Sequence, residues 1–219
     1  MIEIIITEDG SHTIKNHALN ETYHSLHGAM NESLHVFIKH GLEFFLARSP
    51  AAIAVLEVGF GTGLNAWLTA KHLAGTMVKL HYIALEPQPL GESVWSQLNY
   101  ATTNDDQTLF NTLHRVAWNE PVPVTPEFVI HKMPKSVYDL ELTQACLDLI
   151  YYDAFAPQKQ PEMWTSNILA KVAGWLRPGG VLVTYCAKGQ VKRDLKAAGL
   201  MVEALQGPPG KREMIRALK

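Results

Sequence analysis

Runs and alternations of apolar residues divide this chain into strands and helices in turn. Residues 51–58 form a short apolar run rich in Ile, Val and Leu, which predicts a buried strand rather than a free helix. Gly59, Gly61 and Gly63 follow at alternate positions, and residues 65–71 resume at helical spacing, with Leu64, Trp67 and Leu68 on one face. Strand, glycine turn and helix make up the opening unit of a nucleotide-binding α/β sheet. The same patterning predicts strands at residues 79–85, 127–131, 146–152 and 181–186, and helices near 90–98, 163–176 and 189–198. Residues 177–180 (Arg-Pro-Gly-Gly) read as a turn, and 200–205 with 213–218 as a hairpin closing the sheet edge around the turn at 207–210. Residues 101–126, polar and then rich in Trp and Pro, read as a long connection, a feature that is usually functional. Upstream, 2–7 and 11–16 pair across the Asp9-Gly10 signal, and 36–47 is expected to be a helix packed on the sheet. The fold expected is α/β and Rossmann-like. Its mostly parallel sheet is flanked by helices and ends in a C-terminal antiparallel hairpin. A small N-terminal hairpin-and-helix extension (1–50) precedes the main domain (51–219).

Composition changes this picture little. With 219 residues, 47% hydrophobic and 18% charged, the chain can bury a full core as one domain with an extension. No apolar run is long enough to span a bilayer, and residues 1–8 lack the basic start of a secretory signal, so no membrane association is expected. Cys146 and Cys186, in or beside core strands, read as reduced, buried thiols of a cytoplasmic protein. Charge is more telling. Residues 188–219 carry eight Lys and Arg against three acids, a net of +5 on a chain of net −2. That asymmetry fits a face for a polyanion and equally a solvated helix with a charged tail. Six of the ten histidines precede residue 41, without the fixed spacing or Cys and acidic partners of a metal site, so no metal is expected.

Candidate chemistry gathers where an open α/β sheet places its ligand, beyond the carboxyl ends of the strands. The glycine spacing is G-x-G-x-G, not the dinucleotide G-x-G-x-x-G, with Glu57 two residues ahead of it. Glu86 ends the second strand, where a carboxylate can accept from both ribose hydroxyls. Asp153 ends the fourth and opens Asp-Ala-Phe-Ala-Pro. An acid, an aromatic and prolines there suit a rigid site wall, and Pro157 and Pro161 keep Asp153 from simply capping the next helix. Together the loop and Glu86 resemble the cofactor site of class I S-adenosylmethionine (SAM) methyltransferases. The resemblance implies SAM contacts from Glu57, Gly59, Phe60, Gly61, Thr62, Gly63, Asn65, Glu86 and Asp153.

A narrower resemblance rests on residues 57–65, 153–165 (with Asp-Ala-Phe-Ala-Pro and Met-Trp-Thr), 177–180 and Gly-Lys-Arg-Glu-Met at 210–214, and extends over 24–37. These stretches resemble the methyltransferases of bacterial tRNA wobble-uridine modification, MnmD and the N-terminal domain of the bifunctional MnmC. The family implies methyl transfer from SAM to the amine of 5-aminomethyl-2-thiouridine at wobble position 34, with Asp153 as the catalytic residue. An alkylammonium has a pKa near that of Lys, about 10, so freeing its lone pair at pH 7 costs about 4 kcal/mol. A carboxylate can orient it and accept its proton. Phe155, Trp164 or Tyr185 could stack on a base leaving the anticodon loop. Lys188, Lys192, Arg193, Lys211 and Arg212 are expected to line a tRNA-binding face. A separate enzyme would supply the aminomethyl group. The sequence departs from the family in two ways. It ends at Lys219, so the FAD oxidase activity is expected to be absent, and the acid usual after strand three is replaced by Ile130-His131-Lys132-Met133. The alternatives are a small-molecule SAM methyltransferase or polyamine aminopropyltransferase, which would need no positive segment, and a non-catalytic RNA-binding module, which leaves Asp153 unexplained. A diamine pocket is expected to need more acids than Asp153.

Overall fold

The computed structural model describes residues 2–219; residue 1, the start of the expected extension, lies outside the described residues. The chain opens with antiparallel strands β1 (Ile2–Ile6), β2 (His12–Asn16) and β3 (Glu21–Thr22), with Ile4 opposite Ile14. A helical run follows: α1 (Ala29–Ser33), a π-helical stretch (Leu34–Glu43) and α2 (Phe44–Leu46). The run starts seven residues earlier than the apolar pattern suggests, because Glu32 and Ser33 are buried polar residues that carry no apolar signal. It packs on the main sheet, with the Phe37 ring 5.3 Å from that of Tyr151. A β-carbon on Gly41 would stand 3.0 Å from Val183 Cγ2, so glycine is what lets this helix approach so closely.

The remaining elements alternate as expected: β4 (Ala52–Val58), α3 (Leu64–Leu73), β5 (Lys79–Leu85), α4 (Glu92–Trp95), α5 (Asn104–Arg115), β6 (Pro121–Pro123), β7 (Phe128–Met133), β8 (Leu147–Tyr152), a 3₁₀ turn (Pro161–Trp164), α6 (Ser166–Trp175), β9 (Leu176–Thr184), α7 (Gly189–Ala197), β10 (Met201–Gln206) and β11 (Glu213–Leu218). They form an eight-stranded sheet in the order β10-β11-β9-β8-β4-β5-β7-β6. The five central strands are parallel, and the edge pairings β6–β7, β9–β11 and β11–β10 are antiparallel. Every residue of β8 is buried, as a parallel strand covered by helices on both faces should be.

Three expectations are corrected. Residues 101–126 are no structureless connection. Thr103 caps α5, its Oγ1 accepting from Asp106 N–H at 3.1 Å, and Phe110 and Leu113 face the core. The helix near 90–98 shortens to Glu92–Trp95. Arg177–Gly180 belongs to β9 but loops out of register, since pairing steps from Leu147–Leu176 to Leu149–Val181.

Both cysteines are free, Cys186 buried and Cys146 only partly so. Among the described residues no helix is long and apolar enough to cross a membrane, and no group of three or more His, Cys, Asp or Glu could hold a metal ion.

Candidate active site

Strand register brings the candidate residues together. Val58 pairs with both Leu85 and Tyr152, so Gly59, Glu86 and Asp153 leave three adjacent strands at one level. Backbone bonds extend the ladders past the strand ends: Gly59 N–H and Phe60 N–H donate to Leu85 O, and Asp153 N–H to Val58 O at 3.0 Å. β4 is also where the strand order reverses, the position at which such sheets open a crevice.

A cavity of about 530 Å³ opens there. Of the residues expected to hold the cofactor, Gly59, Phe60, Gly61, Thr62, Asn65, Glu86 and Asp153 line it, as do Phe155, Tyr185 and Lys211 from the acceptor group. The turn is held in left-handed conformations, with φ of +96° at Gly59 and +49° at Gly61. A β-carbon at Gly59 would fall 2.6 Å from Asp153 O. Glu86 is buried and accepts from Gly61 N–H at 3.0 Å and Gln88 N–H at 2.9 Å. Burial raises its pKa, and the two backbone donors oppose that rise.

Asp153 faces the cavity from the end of β8. Burial, and then the charge of Glu32, push its carboxyl up to about 7, while the Asn65 amide and Lys211 oppose the shift. Its loop is braced from behind. Tyr185 O–H donates to Ala154 O at 2.8 Å, Trp164 Nε1–H to Phe155 O at 2.8 Å, and Phe155 N–H to Gln160 Oε1 at 3.2 Å.

Several candidates lie elsewhere. Glu57 is fully buried behind the wall, where burial followed by the Asp153 charge raises its pKa well above the carboxylate range, opposed by the Tyr82 hydroxyl and the Asn65 amide. Gly63 caps α3, where a β-carbon would meet His114 Nε2 at 2.8 Å. Trp164 is buried against Tyr152 and holds the loop, so it presents no stacking face to the cavity. Lys188, Lys192, Arg193 and Arg212 do not line the cavity, and Lys192 is paired with Glu213. Lys211 instead turns inward, to Glu32.

The N-terminal segment, assigned no site residue from sequence, forms an entire wall: Glu21, Tyr23, His24, Ser25 and Glu32 all line the cavity. Tyr23 packs edge-on against Phe155, ring centroids 5.0 Å apart. His24 bridges Thr13 Oγ1 and Thr62 Oγ1, at 3.2 and 3.4 Å, and burial lowers its pKa to about 4. Lys159 Nζ, donating to Leu19 O and Asn20 O at 3.0 Å, ties the Asp153 loop to this wall. For His24, Ser25 and Glu32 the signal that could have found them is that 24–37 belongs to the family-like stretch; Glu21 and Tyr23 carried none.

The donors present fit a SAM-sized ligand. A turn whose left-handed Gly59 and Gly61 present no β-carbon lies beside an acidic strand end, and Glu86 retains acceptor capacity beyond its two backbone bonds. Lys135, Ser136, Val137 and Tyr138 also line the cavity. Lys132, standing where the acid is missing, points away from the cavity. Its Nζ–H donates to His114 O at 2.6 Å and lies 4.7 Å from the Trp118 ring centroid, and burial lowers its pKa to about 8.

Residues 112–219 match the family model of S-adenosyl-L-methionine-dependent methyltransferases. The chain is 31% identical over 212 residues to the tRNA 5-methylaminomethyl-2-thiouridine biosynthesis bifunctional protein MnmC of Ectopseudomonas mendocina, covering 89% of this chain and 32% of that protein. It is 29% identical over 210 residues to the MnmC of Methylobacillus flagellatus, with the same coverage. The chain therefore spans about a third of the length of these relatives. The crystal structure of MnmC2 from Aquifex aeolicus superposes with a TM-score of 0.82 at 26% identity, covering 100% of this chain and 70% of that one.

Proposed function

We propose that this chain is an S-adenosyl-L-methionine-dependent methyltransferase that methylates the amine of 5-aminomethyl-2-thiouridine at the tRNA wobble position, supported by its family-model match, its MnmC relatives and its likeness to MnmC2. The observation that carries this reading is Asp153, a carboxylate facing the cavity beside the glycine turn with its pKa raised to about 7. An ordinary aspartate lies about six pKa units below an alkylammonium, so taking its proton would cost about 8 kcal/mol; at about 7 the gap is three units, about 4 kcal/mol. Burial thus halves the cost of passing the ammonium proton directly to Asp153.

Asp153 binds the ammonium, orients it and accepts its proton, and Asn65 holds the carboxylate in position. Glu86 would hold the ribose hydroxyls of bound SAM, and the glycine turn would give it backbone access. Bound SAM supplies a methyl group already activated on a sulfonium. Phe155 offers an aromatic face for an unstacked base. We assign residues 51–219 to the transferase domain and 1–50 to an extension that walls its acceptor side. We also place the reaction in the cytoplasm, downstream of a separate enzyme that installs the aminomethyl group on the anticodon-loop uridine. The proposal concerns methyl transfer alone.

One observation keeps an amine of another kind in view. Glu21 and Glu32 join Asp153 in the cavity, so the expected shortage of acids does not argue against a polyamine. Glu32, however, is already paired with Lys211. Incubation with radiolabelled SAM and either tRNA carrying the aminomethyl base or a polyamine mixture separates the two readings. Label in the tRNA, found as the methylaminomethyl nucleoside by mass spectrometry, is the expected result. Label in the polyamines alone would overturn it.

A further inference from the structure

Lys211 belongs to the basic C-terminal segment, yet its ammonium lies inside the cavity. It pairs with Glu32 Oε1 at 2.5 Å and sits 3.8 Å from the centroid of the Tyr185 ring. Glu32 is only 5% exposed, and its other oxygen accepts from Ser25 N–H at 2.8 Å. One carboxylate and one aromatic face thus hold a primary ammonium on an alkyl stem, in the same cavity as Asp153. The reacting end of an aminomethyl base has that same chemistry.

We propose that Glu32 and the Tyr185 ring recognise the acceptor's ammonium together with Asp153, which takes its proton, and that Lys211 occupies the Glu32–Tyr185 part of this site as an internal placeholder until an amine-bearing RNA displaces it. The inference rests on the reading of the acceptor as an aminomethyl-uridine RNA. Exchanging one ammonium for another leaves Glu32 paired throughout. Simple withdrawal of Lys211 would strand a buried carboxylate, which is strongly unfavourable. An RNA lacking the amine cannot make the exchange, and leaving a buried polar group unpaired is what gives such sites their discrimination.

The backbone carrying Lys211 is anchored, so the exchange is a side-chain movement. Gly210 lies against His27, where a β-carbon would overlap the imidazole, and His35 Nε2 contacts Gln206 O at 2.8 Å. The displaced ammonium would swing toward exposed Arg212, where RNA phosphates can receive it.

Two measurements test the proposal. In the first, the thermal stability of Lys211→Ala is followed with added methylammonium chloride. Saturable stabilisation is expected there, and none in wild type, in Glu32→Gln/Lys211→Ala, or with sodium chloride at equal ionic strength. In the second, anticodon stem-loop RNA with and without the aminomethyl group is bound to each protein in the presence of S-adenosylhomocysteine. The preference for the amine-bearing RNA should rise in Lys211→Ala and fall roughly 10- to 100-fold in Glu32→Gln, the scale of one charge-assisted hydrogen bond. A preference unchanged in both variants would make the pair a structural latch and overturn the proposal. Wild-type protein that binds neither RNA would count against the tRNA reading instead, and the methylammonium result then decides the ammonium site alone. Should Lys211→Ala fail to fold, Glu32→Gln by itself carries the second measurement.

Discussion

The Asn65 side-chain amide donates to Asp153 Oδ2 at 2.9 Å, joining the first turn of α3 to the end of β8. This bond favours the charged carboxylate and opposes the burial that raises its pKa. Asn65→Ala is therefore expected to move the Asp153 pKa further upward. In the pH profile of kcat/KM, which reports the free enzyme, the acidic limb should shift to higher pH. An unshifted limb would remove Asn65 from the proton-transfer geometry.

Asp153→Asn keeps the shape and removes the base. Turnover should fall by roughly 10²-fold or more, the usual scale for an acid–base group. Affinity for S-adenosylhomocysteine, measured by calorimetry, should hold, and the limb near pH 7 should vanish. Near-wild-type methylation across pH 6–9 would refute the role.

Glu57 yields a prediction about stability. Its folded-state pKa is raised well above the ordinary value, so the folded protein holds a proton that the unfolded chain releases as pH climbs past about 4.5. Its contribution is therefore present at low pH and is lost as pH rises toward the folded pKa. Glu57→Gln mimics the neutral carboxyl and should be more stable than wild type at pH 8 and similar to it at pH 4. Denaturant titration at the two pH values checks this; a Gln variant destabilised at pH 8 would mean that the fold depends on the charge.

Gly61 sits at φ +49°, and a β-carbon there would stand 3.0 Å from Tyr23 Cδ1. Gly61→Val combines a left-handed backbone, costing about 1–2 kcal/mol for an L-residue, with loss of access to the ligand. Affinity for S-adenosylhomocysteine should drop by about 10-fold or more, while far-UV circular dichroism stays close to wild type. Undiminished affinity would move the cofactor away from this turn.

Lys188, Arg193 and Arg212 are exposed and, among the described residues, make no ion pair. If they meet RNA phosphates, the triple Ala variant should bind all tRNAs more weakly. Its slope of log K against log[salt] should become shallower by about 0.7–0.9 for each phosphate that is no longer neutralised. An identical slope would shift RNA binding to another face.

Much of this molecule was legible in its sequence because it is encoded locally. The apolar runs of β4, β5 and β8 and the glycines between β4 and α3 specify strands and a turn through side-chain period and φ preference, needing no distant partner. Glu86 and Asp153 could be singled out because a parallel sheet delivers every strand end to one edge. The helix α5 was missed although Thr103 and Asp106 spell a cap, since its few apolar residues are diluted by polar ones. What tertiary structure alone decided is which polar groups meet. Only packing brings Glu32 and Lys211, 179 residues apart, into contact, buries Glu57 and Trp164 behind the wall, and turns Lys132 away toward Trp118. Side-chain type states what a residue can donate or accept. The dielectric and the partner it finds depend on long-range packing, and for Asp153 those two together set the pKa near neutrality.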